Sequence, residues 1–159
     1  MRIKTRKEQE RIINEGNILV LVSGNIASGK TTLSKKLSKD LKFPFIEVNN
    51  QYNPNSKNII LESTGLGYRT RDIKNLYKKV FIVKCWVTED QAIKNINNRK
   101  KIFKSHEIRL GMSQIDFYYH CLKDVDRLKA DICYNYNTDN YKMMLKTLST
   151  WIYEGGGAG

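Results

Sequence analysis

Gly24-Asn25-Ile26-Ala27-Ser28-Gly29-Lys30-Thr31-Thr32 decides how the rest of the chain is read. It fits the pattern G-x-x-x-x-G-K-[ST], whose chemistry is anion capture. Two glycines let the backbone curl so that consecutive N–H groups point inward at phosphate oxygens. A helix opening at Lys30 adds its positive end. Lys30 is placed to reach the β- and γ-phosphates of a nucleoside triphosphate, and the Thr31 hydroxyl is of the right type to ligate Mg²⁺.

The flanks agree with that geometry. Ile18-Leu19-Val20-Leu21-Val22 has the length and composition of a buried strand and runs into Ser23-Gly24. Beyond the loop, Leu33, Leu37 and Leu41 recur every four residues while lysines take the other face, which predicts an amphipathic helix. Strand, glycine-rich loop and helix in that order make Gly24 through Thr32 a Walker A loop. ATP with Mg²⁺ is the expected cofactor.

The whole chain sets bounds. Its 159 residues suit one core. No apolar run reaches membrane-spanning length and no signal-peptide pattern opens the sequence, so a cytoplasmic protein without a membrane partner is expected. Cys85, Cys121 and Cys133 lack metal-ligand spacing and read as reduced thiols. The net charge of +12 favours polyanionic partners: nucleotides, phosphorylated metabolites or nucleic acid. The basic residues are scattered, and no aromatic-interleaved nucleic-acid motif accompanies them.

Around the loop, strands alternate with helices. Residues 1–16 read as a polar, basic helical extension. Phe43 to Asn49 reads as a second strand, with Pro44 at its beginning. Asn58 to Glu62 is a third, followed by a turn over 63–67 and a helix from Arg69 to Lys79. Val80 to Val87 is a fourth strand. Thr88 caps the next helix, with Gln91 completing a capping box. A helix over Met112–Leu128 follows, then an edge strand over 130–136 and a last helix capped by Thr138 or Asp139. Residues 155–159 are a glycine-rich tail. This order predicts an α/β, three-layer, doubly wound fold with a five-stranded parallel sheet over residues 17–154.

In such sheets ligands gather beyond the carboxyl ends of the strands. Strand two delivers Glu47 and Asn49 there, and strand three delivers Glu62. A carboxylate beside the phosphate loop can anchor Mg²⁺, order a metal-bound water, or take a proton from an attacking hydroxyl. Asn49 cannot act as a base, so Glu62 is the nearest candidate and Glu47 is left to order magnesium water. The basic segment 99–111 has the character of a lid, with Arg99 and Arg109 as phosphate-clamping guanidinium groups. Arg69 and Arg71 are placed to hold an anionic part of the acceptor together with Asn49.

This arrangement resembles the small P-loop kinases of metabolites and nucleotides. Phe45-Ile46-Glu47-Val48-Asn49 is similar to the strand-two segment of shikimate kinases, where two acidic residues one apart serve magnesium and the acceptor hydroxyl. Asn49 replaces the second of them here. Ser63 to Arg69, Asn98-Arg99, and Met112 through Phe117 resemble successive landmarks of gluconate-kinase-like enzymes. The resemblance implies that Arg99 contacts ATP phosphates from a lid. Together these readings predict an ATP-dependent phosphotransferase that moves the γ-phosphoryl group to a hydroxyl or phosphate of a small acceptor. A polynucleotide 5′-hydroxyl kinase and an ATP-binding switch or regulatory ATPase are the alternatives.

Overall fold

The computed structural model describes residues 17–47, 58–64, 77–99 and 111–154. Its strands are β1 (Ile18–Gly24), β2 (Phe45–Glu47), β3 (Asn58–Ser63), β4 (Lys79–Cys85) and β5 (Ile132–Tyr134). Its helices are α1 (Lys30–Leu41), α2 (Glu89–Asn98), α3 (Gln114–Arg127) and α4 (Tyr141–Glu154). The strands form one sheet in the order β2-β3-β1-β4-β5, and every neighbouring pair is parallel.

β1 lies in the middle because nothing in it needs water. Ile18 through Val22 are fully buried. Alternate residues serve opposite faces, as a pleated strand requires. Ile18, Val20 and Val22 pack with Leu33, Leu37 and Leu41 of α1 and with Met144, Leu148 and Ile152 of α4. Leu19 and Leu21 pack on the other face with Ile59, Leu61, Ile82, Tyr77 and Leu128. A smaller cluster joins the loop to two helices at the carboxyl end of the sheet, through Ala27, Ala92, Ile96 and Tyr118. The sheet is thus covered on both faces, as expected.

Local chemistry sets most element ends, with departures from the expected bounds. Pro44 stands before β2 rather than in it, and its carbonyl accepts from Ile60 N–H at 2.8 Å. The fourth strand takes in Lys79 and stops at Cys85, so the preceding helix cannot reach Lys79 and Trp86–Val87 are not strand. Thr88 does cap α2, its hydroxyl accepting from Gln91 N–H at 3.2 Å. The reciprocal half of the capping box is absent, because the Gln91 side chain donates to Asn95 Oδ1 at 2.8 Å. α3 begins at Gln114 rather than Met112, since Ser113 accepts from Asp116 N–H and caps it there. The last helix is capped by Asn140 through Met143 N–H, not by Thr138 or Asp139. Asp139 instead accepts from Asn135 N–H at 2.8 Å and shapes the preceding turn. β5 is only three residues long. The expected extension over 1–16, the helix from Arg69, the lid beyond Arg99 up to 110, and the tail over 155–159 lie outside the described residues.

Candidate nucleotide site

The loop from Gly24 to Thr31 leaves the end of β1 and curls over the end of β4. Gly24 has φ 148°, and a Cβ there would lie 2.4 Å from the Cys85 carbonyl oxygen and 2.8 Å from Ser28 Oγ. Gly29 is left-handed with φ 88°, and Ala27 joins it at φ 64°. These values turn the chain sharply enough to bring it back onto the helix axis. Two side chains brace the turn from within. Asn25 Nδ2 donates to the Tyr118 carbonyl at 2.9 Å, and Ser28 Oγ donates to the Asn25 carbonyl at 2.7 Å.

The start of α1 is chemically distinct from the other helix starts among the described residues. Thr88, Ser113 and Asn140 each cap a helix with a side-chain oxygen. Gly29 caps α1 without one, and no acidic residue occupies its first turn. The orphan N–H groups and the positive end of the dipole are therefore left for an external anion.

Lys30 is 8% exposed, and its Nζ donates to the Asn25 carbonyl at 3.0 Å, inside the curl of the loop. Burial lowers its pKa from the ordinary value, against the pull of the Glu62 carboxylate. Thr31 Oγ1 donates to Glu62 Oε1 at 2.8 Å. That bond ties the loop to the end of β3 and brings together the hydroxyl and the carboxylate singled out from the sequence. Glu47 ends β2 level with Glu62 in the sheet register. Its side chain, together with Asn49, Arg69, Arg71 and Arg109, lies outside the described residues.

Arg99 follows α2, where its N–H bonds the Ile96 carbonyl. Its guanidinium is pushed down from the ordinary arginine range by burial, while Tyr136 and Glu62 pull the other way. It lines a cavity of about 470 Å³ beside the start of α1, with Ser28, Gly29, Thr32, Lys36, Asn98 and Tyr136 among its neighbours. Sequence reasoning did not find Tyr136 or Asn95. Asn95 Nδ2 donates both to the Ala27 carbonyl at 3.0 Å and to the Tyr136 hydroxyl at 2.9 Å. The signal for Tyr136 was its place just past the end of β5, where the strand-end rule already pointed. For Asn95, one polar residue on a polar helix face, there was none.

The residues fit a nucleoside triphosphate with Mg²⁺. A concave backbone closed at Gly24 and Gly29, an uncapped helix start and a buried cation suit the phosphates. A hydroxyl and a carboxylate in contact are hard oxygen donors of the kind Mg²⁺ takes beside phosphate and water. Among the described residues no group of three or more His, Cys, Asp or Glu could hold a metal by itself.

No family model and no curated protein matches the chain by sequence. Solved structures do match it in shape. A sugar kinase from Janibacter sp. HTCC2649, unliganded, superposes with a TM-score of 0.60 at 14% identity, over 86% of this chain and 94% of that one. Shikimate kinase from Acinetobacter baumannii, in complex with shikimate, gives 0.54 at 10% identity, over 86% and 93%. A gluconokinase from Sinorhizobium meliloti 1021 gives 0.54 at 12% identity, over 87% and 91%. The fold is therefore the three-layer, doubly wound α/β fold of the small P-loop kinases. Among the described residues no helix is long and apolar enough to cross a membrane.

Proposed function

We propose that the protein is an ATP-dependent phosphotransferase acting on a hydroxyl or phosphate of a small metabolite or nucleotide. The observation that carries this reading is the 2.8 Å bond from Thr31 to Glu62 beside the buried Lys30. It supports reading Thr31 and Glu62 as a metal-type donor pair that works with the Lys30 cation at one end of the loop. The loop N–H groups and Lys30 hold the β- and γ-phosphates, and Lys30 neutralises charge that builds during transfer. Thr31 and Glu62 would hold Mg²⁺, which when bound screens the triphosphate. Of the two roles expected of Glu62 from sequence, Mg²⁺ anchor and base, its bond to Thr31 favours the metal-side one. Glu47, level with it in register, becomes the candidate for the proton of the acceptor hydroxyl. Arg99 and Tyr136 wall the adjoining cavity, which suits the nucleoside half of ATP, and Arg99 clamps phosphate from that side. Arg109, Arg69, Arg71 and Asn49 remain candidates for the lid and acceptor side. The shape likeness to sugar, shikimate and gluconate kinases supports a small hydroxylated acceptor.

The test is a screen with ATP labelled at the γ-phosphate against hydroxylated metabolites, nucleosides, nucleotides and 5′-hydroxyl oligonucleotides. Label is expected in one acceptor class, with a loss of roughly a hundredfold or more in Lys30→Ala. Slow ATP hydrolysis with no labelled acceptor would instead support a switch or regulatory ATPase. Label confined to oligonucleotides, with salt-sensitive binding, would support a polynucleotide kinase. Unchanged turnover in a folded Lys30→Ala protein would refute the phosphate-loop chemistry.

A further inference from the structure

We propose that Asn95 is a positioning residue that couples the nucleoside cavity to the phosphate loop, with Tyr136 as the part that senses the cavity. The inference rests on the phosphate-binding reading of the loop. Asn95 commits both amide hydrogens, one to the Ala27 carbonyl and one to the Tyr136 hydroxyl, and its oxygen accepts from Gln91. The orientation of this amide is fixed by its partners. A carbonyl can only accept, so the nitrogen must face Ala27, and the oxygen is left to receive the Gln91 N–H. The missing half of the capping box is explained by the same contact: Gln91 orients Asn95 instead of reaching back to Thr88.

The bond to Ala27 matters because a peptide unit is planar and trans. The carbonyl of residue 27 and the N–H of residue 28 point in opposite directions. Pinning the carbonyl outward on α2 therefore aims the Ser28 N–H to the opposite side. Ala27 also sits in the left-handed region without being glycine, a strained backbone state for an L side chain, so the loop needs an outside tether to keep that turn. Tyr136 also faces the loop directly, through its ring. A Cβ on Gly29 would lie 3.0 Å from Tyr136 Cδ1. The tyrosine that walls the cavity thus holds the loop at Gly29 directly and at Ala27 through Asn95. Moving the ring on ligand entry moves the donor that sets the loop.

The experiment is calorimetric titration with two probes, Mg²⁺–tripolyphosphate, which has no base, and Mg²⁺–ATP. Tyr136→Phe keeps the ring and loses the hydroxyl. It is expected to weaken tripolyphosphate binding about three- to tenfold, although that ligand cannot fill the nucleoside cavity. Asn95→Leu is expected to weaken both probes about tenfold, and in that background Tyr136→Phe should add no further loss. Tyr136 is exposed, so its variant tests the idea even where Asn95→Leu does not fold, which thermal melts without ligand establish. If Tyr136→Phe weakens ATP and leaves tripolyphosphate unchanged, Tyr136 is a wall of the cavity alone and the coupling is refuted. Additive losses in the double variant refute it as well. Lys30→Ala separates this inference from the reading beneath it. If that variant binds tripolyphosphate as the parent does, the phosphate site itself is wrong and both readings fall.

Discussion

Gly24→Ala is the most exacting test of how the loop is built. The added Cβ would meet the Cys85 carbonyl oxygen at 2.4 Å and Ser28 Oγ at 2.8 Å. The serine hydroxyl can rotate away. The carbonyl cannot, because Cys85 belongs to β4 and pairs with Gly24 in the sheet register. Forcing an extra carbon into a packed site costs about 1–3 kcal/mol. Holding an alanine at φ 148° adds about 1–3 kcal/mol of backbone strain. The sum, roughly 2–6 kcal/mol, is a large part of the ~5–15 kcal/mol of an ordinary domain. Gly111→Ala supplies the control. Gly111 has φ 71° with nothing within 4 Å of a built Cβ, so its substitution carries the backbone cost alone, about 1–2 kcal/mol. Urea denaturation of both variants at unchanged m-value measures the difference. A Gly24→Ala protein as stable as the Gly111→Ala protein would show that the carbonyl contact does not constrain the loop.

Two further outcomes follow from burial. Lys30→Met is expected to stabilise the ligand-free protein near neutral pH, because burial holds the Lys30 pKa below its ordinary 10.5 and a charged buried amine opposes folding. The unfolded lysine binds its proton more tightly, so parent stability rises with pH between the lowered folded pKa and 10.5. The advantage of Lys30→Met should therefore be full below the folded pKa and vanish toward pH 10.5; melts across pH that show the opposite slope would contradict it. Thiol labelling with a disulfide reagent should modify exposed Cys133 first, while Cys85, buried and pushed up to about 12, reacts only in denaturant. Equal rates at the two thiols would refute that ordering.

The central part of the fold was legible because short-range rules govern it. Ile18–Val22, the glycines of the loop and the leucines of α1 form one continuous pattern, and the strand-end rule points to Glu62 beside the loop, where it accepts from Thr31. The element ends were read less well because side chains compete for the same donors. Asn140 outcompeted Thr138 and Asp139 for the start of α4, and Gln91 preferred Asn95 over its own helix cap. What escaped the sequence altogether was contact across distant elements. Asn95 and Tyr136 are 41 residues apart, and no local pattern marks a hydrogen bond between a helix face and a turn.

The strand order has a consequence for how the protein is made. β1 is central, yet both strands that flank it, β3 and β4, come later in the chain. On a ribosome adding about 5–20 residues per second, roughly 3–12 s pass between Gly24 and Cys85. Until Ser63 is made, Ile18–Val22 is an uncharged, proline-free β-forming segment, the composition that self-associates, with neither sheet partner, and until Cys85 it has only β3. The leucine face of α1 is the first shelter the nascent chain offers it. The loop's own geometry comes late as well: the carbonyl against Gly24 arrives with β4, and the ring against Gly29 arrives only with Tyr136. A chain stalled before residue 136 would carry the phosphate-loop sequence in full without the walls that shape it.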